Sequence, residues 1–394
     1  MSHPGPLGGD NPFEGMPFFG DLARMLQGQG PVSWDAARQF ATQVATGGTP
    51  EGNVEPLERI RFEELARVAE LRVSDATGLE TSVTGRPVTV VPVTRTEWAH
   101  RTLDAWRPRL EKMATTLAAG QAPAGDEAAD DPAAQLLGGL FQMIGPVMLG
   151  MQAGAMVGHL AGRSLGQYDL PIPRPPSDEL LVVPANVAAF AEEWSLPGDD
   201  LRLWICLSEV THHAVLGLPH VRTRLDQLLL DYAGGFQVDA GALEAKLGTL
   251  DPTDMSSFQQ ALSDPEALLG AVRSPAQAAL QAPLEALVAV VVGYVDHVMD
   301  RVGTHLVGAY GQLTEALRRR RVEAGAADRF VEHLLGVELG QAQYERGSAF
   351  VDGVVERAGE EGLARLWGSA RVLPTPAEVD APGLWLARID LPEG

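Results

Sequence analysis

Residues 200–220 read DLRLWICLSEVTHHAVLGLPH, and this stretch decides the fold. Its apolar side chains recur every three or four residues, the spacing of a helix packed on most of its surface. Asp199 and Asp200 favour the N-terminal end of the helix dipole, while Gly217 and Pro219 stop the helix, which gives a helix over 200–217. In its middle stand Ser208, Glu209, His212 and His213. A zinc-hydrolase helix carries two His at i and i+4 on one face, with Glu at i+1 placed to activate a metal-bound water. The pentad Ser208-Glu209-Val210-Thr211-His212 has the base position and the second ligand position, but Ser at the first. A hydroxyl is a poor zinc ligand. On the residues alone, a partly buried Glu/His pair on an ordinary helix remains the alternative.

Outward from this helix the chain reads as mainly α, with at most short β segments. Helical periodicity covers 33–45, 54–71 before the turn-like SDATG, and a stretch with Thr96 as N-cap. It returns at 223–232, 258–272, 276–302, 304–322, 327–340 and 349–366, followed by loops. Val88–Val93 is a short β-type run interrupted by Pro92, and LLVVPANV is an extended segment leading into a helix at AAFAEEW. The stretch 118–135, AAGQAPAGDEAADDPAAQ, reads as a flexible acidic linker. The expected organisation is therefore an N-terminal helical region (1–117), this linker, and a helical domain (136–394) carrying the helices of 200–217 and 276–302. Leu136–Leu160 has no formal charge and is long enough to span a bilayer. Gln142, Gln152, His159 and Pro146 argue against that use, whereas Gly150, Gly154, Gly158 and Gly162 form a bare stripe for a tightly packed neighbour.

The 394 residues are ample for a core, and 45% hydrophobic with 21% charged residues is ordinary globular usage. A formal charge of -22 repels phosphate backbones and anionic membranes, so nucleic-acid partners and membrane insertion are not expected. Cys206 is a lone cysteine between apolar residues, expected to be a buried thiol. No basic-then-apolar leader opens the chain, and the expected compartment is the cytoplasm.

Other constellations are weaker. Glu97-x-x-His100 and Glu209-x-x-His212 form the pairs used in di-iron bundles, without evident bridging carboxylates. Arg318–Arg321 reads as a solvated basic face at a helix end, and Asp296 and Asp300 flank His297 in a structural or supporting role. No phosphate-binding loop or paired Cys-x-x-Cys occurs.

Four blocks carry a resemblance: NPFEGMPFFGDLARMLQGQGPVSWDAARQFATQVA (11–45), RLWICLSEVTHH (202–213), GYVDHVMDRVG (293–303) and LLGVELGQAQYERGSAFVDGVVERAGEEGLARLW (334–367). Together they resemble an actinobacterial family of zincin-like hydrolases, zinc-dependent metalloproteases. The resemblance implies a multi-helical zincin-like fold, zinc as cofactor, and a peptide or protein substrate. It further implies Glu209 as general base and His212 as ligand, and it places the two other ligand positions at Ser208 and Val292. With those two replaced, it implies a degenerate site of weak or no peptidase activity. Two alternatives stand beside it. One is an active enzyme with shifted ligands drawn from His213, Asp296 and His297, although His212 and His213 point roughly 100° apart. The other is a helical protein-interaction module, of unknown oligomeric state.

Overall fold

The computed structural model describes residues 30–120, 132–238, 271–272, 274–323 and 325–391. The mainly α reading holds. Helix α1 (Trp34–Thr46) is followed by α2 (Pro56–Thr77), strand β1 (Thr89–Pro92), α3 (Arg95–Gly120), α4 (Pro132–Ala161), strand β2 (Glu179–Val182) and α5 (Pro184–Glu193). Then come α6 (Gly198–Gly217), α7 (Pro219–Gly234), strands β3 (Gln237–Val238) and β4 (Ala271–Val272), and α8 (Pro275–Leu306). The chain continues through α9 (Tyr310–Val322), α10 (Ala326–Leu335), α11 (Gln341–Ala364), α12 (Pro376–Val379) and α13 (Pro382–Ile389). β1 pairs in parallel with β2, Val90 opposite Leu180, and β3 pairs antiparallel with β4.

Several boundaries differ from the periodicity reading. α2 runs through Ser74–Thr77 because Val73 prolongs the buried row Phe62, Ala66, Ala69, and Gly78, at φ 66°, makes the left-handed stop. Thr94, not Thr96, caps α3, its hydroxyl accepting from the Glu97 N–H. α7 starts at Pro219, not near 223, since a proline is tolerated in the first helical turn. Residues 118–120 finish α3 and 132–135 open α4, while 121–131 of the expected linker lie outside the described residues. So does nearly all of the helix expected at 258–272; its last two residues are β4. The block 11–45 lies outside them up to residue 29. The helix expected at 304–322 is split between the end of α8 and α9. That expected at 327–340 stops at Leu335, where Gly336 turns left-handed at φ 72°. α11 begins at Gln341, well ahead of 349, and bends at Gly359 (φ 66°). The tail expected as loops forms α12 and α13, anchored by fully buried Trp385 edge-on to Phe350.

α6 is buried without interruption from Trp204 to Leu216, packed among α2, α5, α7 and α8. It is the central helix. α4 meets α1 through its glycine row: side chains at Gly150, Gly154 and Gly158 would fall 2.2, 2.3 and 2.7 Å from the carbonyl oxygens of Ser33, Ala37 and Ala41. Bare backbone against backbone explains the four-residue glycine period. Among the described residues, two helices are long and apolar enough to cross a membrane, over Ile144–Ala161 and Pro275–Leu306. In α8 the apolar residues from Leu284 to Val295 are instead spent on the protein core.

Candidate functional site

Where α6 crosses α8, a cavity of about 70 Å³ opens. Ser208, Glu209 and His212 of α6 line it, with Val292 and Asp296 of α8. Four-residue spacing puts Ser208 and His212 on one face. Arg320 and Arg321 of α9, Tyr344 of α11, and Tyr168 and Asp169 of the α4–β2 connection complete the lining. His213 points instead into a second cleft, and His297 bonds Glu360 at 3.0 Å. Glu97 pairs with Arg101 and His100 with Thr42, so these two do not join Glu209 and His212.

Glu209 is held by backbone. One carboxylate oxygen, Oε2, accepts the N–H of Gln167 at 2.9 Å, and both oxygens accept that of Tyr168 at 3.1 Å. The approach needs Gly166, where a Cβ would stand 2.2 Å from Oε1. The connection carrying these donors is irregular, and hydrogen bonds to side chains hold its first turns in place. Asp169 accepts from the N–H groups of Leu165 and Gly166, Trp98 donates to the Gly166 carbonyl, and Asn186 donates to the carbonyls of Ala161 and Ser164. Arg320 in turn bonds Asp169 at 2.8 Å, tying α9 to the cradle. Burial, with Asp169 nearby, pushes the Glu209 carboxyl up to about 8, although the two N–H donors and Arg174 pull it back.

His212 donates Nδ1–H to the Ser208 carbonyl at 2.9 Å, which leaves the lone pair on Nε2. Its ring stacks on Tyr168, centroids 5.9 Å apart. Burial lowers its pKa to about 4, and Arg321 adds to the shift. The imidazole is neutral at physiological pH.

Arg320 and Arg321 are the residues that sequence reading missed. Arg318 and Arg319 do form the expected solvated face, both pairing with Glu315. Arg320 and Arg321 turn inward. Arg321 bonds Asp296 at 3.1 Å and lies 4.2 Å from the centre of the Tyr344 ring. Burial opposes its charge, but Tyr344 and Asp296 more than offset that, so its pKa is raised. The signal was present: Leu313, Ala316 and Leu317 are buried, and the next positions on that face are 320 and 321.

The two buried titrating groups give stability opposite slopes against pH. Glu209 titrates higher folded (about 8) than unfolded (4.5), so its contribution is complete below pH 4.5 and is lost as pH rises through about 8. His212 titrates lower folded (about 4) than unfolded (6.5), so its contribution is present above pH 6.5 and is lost as pH falls through about 4. Urea midpoints should therefore peak at intermediate pH. Glu209→Gln should remove the alkaline decline, on the order of a few kcal/mol between pH 5 and 8. A variant whose midpoint still falls in parallel with the wild type would show that Glu209 is not the group responsible.

These residues do not fit a catalytic zinc. The donors are one neutral imidazole, the Glu209 carboxyl already engaged by two N–H groups, and Asp169 and Asp296, which are bonded to Arg320 and Arg321, where a zinc site needs about three good protein ligands. Ser208 and Val292 supply no ligand, and two guanidinium groups face the space a cation would enter. Among the described residues, no three His, Cys, Asp or Glu side chains are grouped to hold a metal ion.

No curated protein matches the chain. Among solved structures, one from Chloroflexus aurantiacus, described as "a putative hydrolase with a novel fold", is similar with a TM-score of 0.61. The two are 24% identical, over 92% of this chain and 100% of that one, which shows a shared fold. The zincin-like metallopeptidase family matches residues 32–386, from the start of α1 into α13 and across every residue of the α6–α8 cavity. A match over nearly the whole length, centred on the helix of Glu209 and His212, means that the chain belongs to the zincin-like metallopeptidase family.

Proposed function

We propose that this is a hydrolase-family protein whose metal site is degenerate, with weak or no peptidase activity, and that its cavity works without zinc. The observation that carries the reading is Arg321. Its guanidinium, fixed by Asp296 and Tyr344, lines the same cavity as Ser208 and Val292 at the two vacated ligand positions. A fixed cation there opposes a divalent ion by Coulomb repulsion in a poorly solvated space. What persists is Glu209, a buried carboxyl that can hold a proton near neutral pH, beside a neutral His212. The buried Cys206 thiol and the charge of -22 fit a cytoplasmic protein without nucleic-acid partners.

Elemental analysis tests this. Protein purified without a metal-affinity tag, incubated with zinc and dialysed, should carry well under one zinc, iron or manganese per chain. About one metal per chain, lost in His212→Ala, would overturn the proposal and restore an active peptidase with altered ligands.

A further inference from the structure

On the far side of Tyr168 lies a second cleft of about 280 Å³, four times the volume of the first. In a chain with a formal charge of -22, its wall is unexpectedly basic. Two of its charged pairs are closed: Arg101 bonds Glu179 at 2.8 Å, and Asp104 bonds Arg38 at 2.7 Å. Arg174 and Arg222 also line the cleft, and among the described residues neither has a carboxylate within ion-pair distance. Arg174 gives one hydrogen bond, from Nη2 to Thr102 at 2.7 Å, and is braced 5.5 Å from the centre of the Trp98 ring, while its buried Nε has no acceptor. Burial lowers its pKa to about 10, against the pull of Tyr168 and Glu209 and with smaller like-charge repulsion from Arg109 and Arg101, yet it stays cationic at neutral pH. Two guanidinium groups without a direct ion-pair partner, held on separate elements, are an electrostatic burden on the folded chain. An oxyanion is the ligand that relieves it, since a guanidinium presents a fixed fork of donors matched to carboxylate or phosphate. Val83, Leu181 and Leu216 give the same cleft an apolar side.

We infer that this cleft binds a small organic anion, its carboxylate or phosphate on Arg174 and Arg222 and its apolar body against Val83, Leu181 and Leu216. The site is independent of whether the α6–α8 cavity ever takes a metal.

Titration calorimetry on the full chain tests it with phenylacetate and phenyl phosphate as the two oxyanion arms and 2-phenylethanol as the neutral control. At least one anion should bind, with the stronger arm identifying the head group, and the alcohol should not. Arg174→Gln and Arg222→Gln should each weaken binding roughly tenfold or more, the loss of one charge-assisted partner. Thermal melting shows whether each variant is folded; should the more deeply set Arg174→Gln fail, Arg222→Gln carries the test. No binding of either anion at up to about 10 mM, equal binding of the alcohol, or unchanged affinity in folded variants overturns the inference.

Discussion

Ser208→His combined with Val292→Glu should convert this protein into one that binds about one zinc ion per chain, with affinity raised on the order of a thousandfold or more. Position 208 lies one helical turn before His212 on the cavity face of α6, so two imidazoles there would sit at the i, i+4 spacing that lets both reach one ion. Nε2 of His212 already holds its lone pair, because Nδ1–H is spent on the Ser208 carbonyl. Val292 lines the opposite wall from α8, and a carboxylate built from that position supplies the third ligand. Either substitution alone leaves two protein ligands and should give little gain. Arg321 works against the ion, so adding Arg321→Gln should tighten binding further. Equilibrium dialysis with zinc reads all four proteins. No gain in either the double or the triple variant would mean that positions 208 and 292 are not the ligand positions of this fold.

What the sequence disclosed about this site follows from the range of the forces involved. α6 was legible because its apolar spacing and its end signals are local, and Ser208, Glu209 and His212 share a face for the same reason. Val292 was reachable only through the family pattern. Nothing local says that a valine in the run VAVVVGYV ends beside His212, since α8 is buried along most of its length. The Glu209 cradle was not legible at all. Its donors come from an irregular segment 42 residues earlier, whose conformation is set by Asp169, Asn186 and Trp98 and by no periodic pattern. Arg320 and Arg321 failed differently: four consecutive arginines look solvated, and the buried face of α9 that ends on two of them was hidden by composition.

Gly347→Ala should be the most damaging small substitution in the protein. Gly to Ala inside a helix ordinarily stabilises by up to about 1 kcal/mol. Here α8 and α11 cross backbone to backbone: a Cβ on Gly347 would stand 1.9 Å from the Ala289 carbonyl oxygen, and one on Gly293 would stand 2.2 Å from the Gly347 carbonyl carbon. The obstructing atoms are main chain on a buried helix and cannot rotate away, so the helices must separate. Overpacking of this kind costs typically 1–3 kcal/mol and more where the backbone must move. A loss of about 3 kcal/mol or greater is expected, read as a lower urea midpoint. The damage should also reach the site, because Gly293 adjoins Val292 and Tyr344 rises from the same turn of α11 as Gly347. Parting the helices moves the ring against Arg321, so zinc binding by Ser208→His with Val292→Glu should weaken when Gly347→Ala is added, even at temperatures where the protein stays folded. Gly311→Ala on α9, where a Cβ meets nothing within 4 Å, is the control and should be neutral to slightly stabilising. Equal midpoints for Gly347→Ala and Gly311→Ala would mean that the α8–α11 crossing is looser than the glycine pair requires.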